Sequence, residues 1–129
     1  MTTNLIKAFN DHFFEFVDDV QNVFPDDVDI LTAKNSFIFA RKANPKLIVK
    51  IWKSCVVDKY RDEVVSGNIQ FFIDKDYKND VSESPYSDKI TEAIDRLRKP
   101  VKNMDSVNQA KTVKYIQNLT KLSDLIEIK

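Results

Sequence analysis

The sequence predicts an all-α protein: a compact, single-domain bundle of five to seven helices around one central apolar helix. Three observations carry that prediction. The 129 residues include one Gly, whereas the hairpins of sheet proteins draw on Gly for positive φ. Apolar side chains recur at steps of three and four residues, the spacing of one helix face rather than of a strand. Hydrophobic residues make up 43% of the chain and nine are Phe, enough to build a core in a chain of one-domain length.

The first helix is expected to begin near Asn4. Leu5, Phe9, Phe13, Phe16, Val17, Val20, Val23 and Phe24 form its apolar stripe. Asp11, Glu15, Asp18 and Asp19 fall on the opposite side. Pro25 has no N–H to donate and disfavours helix at Phe24, so the helix stops there. Asp26 or Asp27 then caps a second helix carrying Ile30, Leu31, Ala33, Phe37, Ile38 and Ala40, which ends around Ala43.

Asn44-Pro45 reads as an N-cap followed by Pro at the first helical position. The third helix carries Leu47, Ile48, Ile51, Trp52, Cys55 and Val56 on a broad face, leaving Lys46, Lys50 and Lys53 as a narrow polar strip. A helix so apolar belongs at the centre of the bundle. It can run on through Tyr60 and Val64 to Gly67, where a left-handed C-terminal residue is expected. Asn68 is placed to cap a short helix holding Ile69, Phe72 and Ile73, and residues 74–86 read as the longest loop. Ser87 reopens a helix with Ile90, Ala93, Ile94 and Leu97. Pro100 kinks or ends it, although Val101 and Met104 continue the stripe. Ser106 and Gln109 have capping-box spacing and open a last long helix striped by Tyr115, Leu119, Leu122 and Ile126.

Charge is sorted into blocks that a net charge of zero conceals. Residues 8–33 hold seven carboxylates and no Lys or Arg, and residues 34–61 hold eight bases against one acid. Residues 62–95 return to nine acids against three bases, and residues 96–129 carry eight bases against three acids. Such blocks set local fields that act in folding contacts and in association.

No catalytic residue, cofactor or metal is expected. His12 is the single His and Cys55 the single Cys, and a Cys on a core face is ordinarily a small hydrophobe. One Gly cannot build a phosphate loop, a dinucleotide fingerprint or a nucleophile elbow. Asp74, Asp76 and Asp80 suggest a calcium loop, but Lys78, Asn79 and Pro85 stand where its Asp/Asn, Gly and Glu belong. One Cys and one His cannot make a structural zinc site. A lone Cys also fits a reducing compartment. With no membrane-length apolar run and no signal-peptide core, the chain is expected to be soluble, intracellular and not secreted.

Binding to other proteins fits the pattern best. Its expected contacts are the basic surface of Lys34, Arg41, Lys42, Lys46, Lys50 and Lys53 and the acidic helix face of Asp11, Glu15, Asp18 and Asp19. Phe14 and Phe39 fall off their stripes and Trp52 lies at the edge of its face, which makes them candidate exposed anchors. The blocks can equally pair inside one molecule. Nucleic acid is the alternative partner, contacted through the same Lys34–Lys53 bases, with Arg96, Arg98, Lys99 and Lys102 as a second cluster.

Three stretches carry a family resemblance: Phe9 to Pro25 (FNDHFFEFVDDVQNVFP), Arg41 to Trp52 (RKANPKLIVKIW), and Asp88 to Leu125 with its phrases EAIDRLRKPVKNM and KYIQNLTKLSDL. Together they resemble a family of uncharacterised small helical proteins encoded by large nucleocytoplasmic DNA viruses, particularly those of algae and other protists. The resemblance implies no enzymatic activity and transfers no functional residues. It implies a context: a structural or assembly protein, such as a minor capsid component, in the virion or the host-cell cytoplasm. Its partners would be other viral structural proteins or further copies of itself.

Overall fold

The computed structural model describes residues 2–53, 57–68, 93, 96, 97 and 99–126. The first element is α1, Thr2–Val23, and its apolar stripe is the one the periodicity predicts. Phe9, Phe13, Phe16, Val17 and Val20 are all buried. Pro25 ends the run, and the turn it sets up brings Asp27 to the N-cap of α2, Val28–Ala43. One Asp27 carboxylate oxygen accepts from the N–H groups of Asp29 at 2.8 Å and Ile30 at 3.3 Å, satisfying two donors that the helix itself leaves open.

Asn44 acts as expected only in part. Its side chain accepts from the N–H of Lys46 at 3.1 Å, but residues 45 and 46 form a turn and α3 begins two residues later, as Leu47–Trp52. In α3 Leu47, Ile48, Val49, Ile51 and Trp52 are all buried. This short helix packs on α1, α2 and the last helix, which gives the bundle its predicted apolar centre. The next helix, α4, spans Asp58–Ser66 and ends at Gly67 with φ +78°. Gly67 N–H bonds Val64 O and Asn68 N–H bonds Glu63 O, the paired bonds of a left-handed helix terminus that favours Gly. A methyl group at Gly67 would meet only ordinary contacts with Val113 and Gln117. Gly67→Ala is therefore expected to cost about 1 kcal/mol of backbone strain and no packing, measurable as a modest drop in urea midpoint.

Residues 99–102 are helical, and Ala93, Leu97, Val101 and Met104 are buried, so the stripe does continue across Pro100. The last helix, α5, spans Ser106–Asp124. Its cap is Asp105, not Ser106: the Asp105 carboxylate accepts from Asn108 N–H at 2.8 Å. Gln109 instead donates backwards to the carbonyls of Val101 and Lys102. The buried stripe of α5 is also displaced from the expected one. Ile116 and Leu119 are buried with Thr112, Thr120 and Ser123, and Ile126 is buried just past the helix, while Tyr115 and Leu122 are half-buried. Each hydroxyl is satisfied within the helix, Thr112 by Asn108 O, Thr120 by Ile116 O and Ser123 by Thr120 O.

The described residues thus form five helices and a helical stretch ahead of α5, with no strand among them. The fold is the all-α bundle expected. The expected helix at residues 68–73, the loop at 74–86, and Cys55, Ile90 and Ile94 lie outside the described residues, apart from Asn68.

At the centre of the core, the Phe13 ring meets Phe37 edge-on with centroids 4.7 Å apart and lies 6.2 Å from Trp52. Trp52 Nε1–H donates to Thr120 Oγ1 at 3.3 Å, joining α3 to α5. One polar side chain enters this region from α1. Asn10, 1% exposed, donates from Nδ2 to the Pro45 carbonyl at 2.9 Å, while its Oδ1 is buried without a partner. It pins the α2–α3 connection onto α1.

Candidate interaction surface

The charge blocks meet within the molecule. Arg41 reaches from α2 to Asp11 on α1 at 2.7 Å, and Lys34 reaches Asp18 at 2.7 Å. Asp11 also takes Lys7 at 2.6 Å. Arg96 bonds Asp29 at 2.7 Å, and Arg61 makes a two-pronged pair with Asp124, both contacts 2.9 Å. Lys7 first and then Arg41 hold the Asp11 carboxyl below its ordinary range, and Arg61 does the same for Asp124.

Because both folded-state values are lowered, the stability these pairs add is complete above the unfolded carboxylate range near 4 and is lost as pH falls through the folded values. Both carboxylates are about two-fifths exposed and so screened by solvent, and each pair is worth less than about 1 kcal/mol. The double variant Asp11→Asn, Asp124→Asn should show a flatter urea midpoint against pH below about 4 than the parent chain.

Of the predicted basic surface, Lys34 and Arg41 are thus spent on α1. Lys42 and Lys46 are exposed with no ion pair among the described residues, Lys50 is exposed, and Lys53 is half-buried. Of the acidic face, Asp11 and Asp18 are paired, Glu15 lies 3.4 Å from His12 Nδ1, and Asp19 is half-buried.

The aromatic anchors separate into three cases. Trp52 is 1% exposed and belongs to the core, which corrects its assignment as an exposed anchor: α3 packs on α1, α2 and α5, so the edge of its apolar face is covered as well as the middle. Phe14 is half-buried against the core, with the Arg41 guanidinium 5.5 Å from its ring centroid. Phe39 is 52% exposed.

The surface the sequence reading missed lies on α2. Ile30, Ala33, Phe37 and Ala40 are buried, but Leu31 and Ile38, expected beside them, point to solvent. With Val28 they make a second apolar row, 72%, 48% and 36% exposed at residues 28, 31 and 38. The helix therefore has two apolar faces back to back. The signal was present: residues 28, 31, 35, 38 and 42 step by three and four, a row of their own on a helix of 3.6 residues per turn.

A second feature is an open groove of about 480 Å³ between α1 and α5, lined by Ala8, Asp11, His12, Glu15, Leu122 and Leu125 among others. It continues into a hollow of about 330 Å³ where Asp19 faces Lys111 and Lys114. The His12 ring tilts over Tyr115 with centroids 5.1 Å apart, and its Nε2 is buried without a hydrogen-bond partner. Burial, then Asp19 and Glu15, push the Tyr115 hydroxyl above its ordinary value. Among the groove residues named here there is no Ser, Thr or Cys nucleophile beside His12, and Cys55 lies outside the described residues. Among the described residues no cluster of three or more His, Cys, Asp or Glu is placed to hold a metal ion, and no helix is long and apolar enough to cross a membrane.

No family model, curated protein or solved structure matches this chain.

Proposed function

We propose that this chain is a non-catalytic structural or assembly protein of a large DNA virus, working through protein–protein contacts. The observation that carries the reading is the second apolar face of α2. A surface helix needs one apolar stripe to hold its place, and α2 already has one in Ile30, Ala33, Phe37 and Ala40. The second row is exposed and stands apart from the core that the described residues form, and exposed apolar rows mark interaction sites. The viral setting comes from the resemblance of residues 9–25, 41–52 and 88–125 to small helical proteins of such viruses.

Internal pairing also weighs against the nucleic-acid use of the same bases. Lys34 and Arg41 are already neutralised by Asp18 and Asp11, and a phosphate-binding surface gains from every base left free.

The test is the fate of the chain during infection by a virus that encodes it. The chain is expected to band with purified particles in a density gradient and to cross-link there to structural proteins. Its absence from particles, with all of it recovered in the soluble fraction of infected cells, would overturn the reading.

A further inference from the structure

We infer that the outer face of α2 pairs with the same face of a second copy of this chain, the two helices running antiparallel about a two-fold axis beside Asn35. The inference rests on the protein–protein reading above and names the partner. Its first support is spacing. Val28, Leu31, Asn35, Ile38 and Lys42 alternate steps of three and four, the seam that lets one helix pack along another. All five are exposed. Asn35 lies between the apolar positions of this seam, whose last position is Lys42, and a polar residue so placed fixes register and partner number at some cost in stability.

The second support is charge. The residues ahead of α2 are acidic, Asp26 and Asp27, and those at its end are basic, Lys42 and Lys46. Asp26, Lys42 and Lys46 stand in no ion pair among the described residues. The bases that α1 neutralises, Lys34 and Arg41, leave the seam for the inner side of the helix. What remains is a helix with opposite charges at its two ends. Antiparallel pairing lays the acidic end of each copy on the basic end of the other, whereas parallel pairing stacks like on like. It also opposes the two helix dipoles, which parallel pairing would align.

The third support is register. With the axis beside Asn35, Leu31 of one copy meets Ile38 of the other, and Lys42 lies over Val28 with its ammonium within reach of Asp26 and Asp27. Apolar contacts and charges fall into place together in one arrangement. An isologous contact of this kind closes on itself and gives a dimer, not a filament. The helix has 16 residues, about 24 Å, so the contact belongs to the small, transient class of interfaces.

The experiment is sedimentation equilibrium on the full chain from about 10 μM to about 1 mM, a range suited to weak contacts. A reversible monomer–dimer equilibrium is expected. Leu31→Glu and Ile38→Glu should each weaken it by roughly tenfold or more, with helicity and melting unchanged because both side chains face solvent. Asp26→Lys alone and Lys42→Glu alone should each weaken the dimer, and the two combined should restore it. Parallel pairing would set residue 26 on residue 26 and residue 42 on residue 42, so each single change would swap one like-charge contact for another and leave the dimer little altered.

A chain that stays monomeric throughout, or a dimer indifferent to Leu31→Glu and Ile38→Glu, would overturn the inference. So would single charge changes that leave the dimer unaltered or strengthen it. The assembly reading fails separately: a monomeric chain that still bands with particles removes the self-pairing alone. A dimer absent from particles removes the viral role and leaves the pairing standing.

Discussion

Phe13→Ala should lower the stability of the domain by about 3–5 kcal/mol, the usual cost of removing a buried phenyl ring and leaving a cavity. Phe13 is where that cost should be near its upper end. Its ring lies between Phe9 and Phe16 on its own helix, Phe37 on α2 and Trp52 on α3. Those neighbours belong to three helices and cannot all close on the void at once. Phe37 approaches edge-on at 4.7 Å, a geometry that adds about 0.5–1.5 kcal/mol beyond area burial. Small domains have only about 5–15 kcal/mol in total, so one substitution should remove a large fraction. Urea unfolding followed by the fluorescence of Trp52, the single Trp, reads the loss directly. A change under about 1 kcal/mol would mean that the three helices do not converge on this ring.

The second large effect concerns a single atom. Asn10→Asp preserves size and shape but replaces the amide donor by an oxygen. Asn10 is 1% exposed and its Nδ2 faces the Pro45 carbonyl at 2.9 Å. An ionised carboxylate there would set acceptor against acceptor, with its other oxygen where Oδ1 already lacks a donor. The expected cost at pH 7 is about 3–5 kcal/mol, that of a buried charge without compensation. Burial raises the folded-state value of such a carboxyl above the unfolded value near 4, so the penalty exists only where the unfolded group ionises. As pH falls towards 4 the protonated acid can donate to Pro45 O, and the deficit against the parent chain should shrink. A deficit that is equal at pH 7 and pH 4 would show that the position is wet.

Much of the architecture was readable in advance because it rests on local chemistry. The α1 stripe, the stop at Pro25, the Asp27 cap and the left-handed terminus at Gly67 each depend on residues within a few positions of one another. The readings that failed share another character. Thr112, Thr120 and Ser123 look polar in a sequence, yet each hydroxyl bonds a carbonyl of its own helix. They enter the core at no cost in unpaired groups, and so turn the buried side of α5 away from Tyr115. Trp52 at the edge of a stripe looked available, but a short central helix has neighbours on its edges too.

The outer row of α2 shows the same limit at the site itself. Periodicity says that Leu31 and Ile38 lie on one side of a helix, not whether that side meets the core. The signs of the charge blocks were plain, but Asp11 and Arg41 stand thirty positions apart. Only the packing of α2 on α1 reveals that they cancel.

The antiparallel contact between α1 and α5 governs when folding can be completed as the chain leaves the ribosome. Ala8 shares a groove with Leu125, and Asp19 shares one with Lys111, so early-made residues are covered by late-made ones. The stretch through α3 can collapse on its own aromatic rings once it emerges. Trp52 must still wait for Thr120, and α1 for the whole of α5, while residues 53–124 are being made. At synthesis rates of about 5–20 residues per second that wait lasts several seconds. Throughout it the side of α1 that α5 will cover lacks that partner, and the nascent chain is open to chaperones and to misassembly.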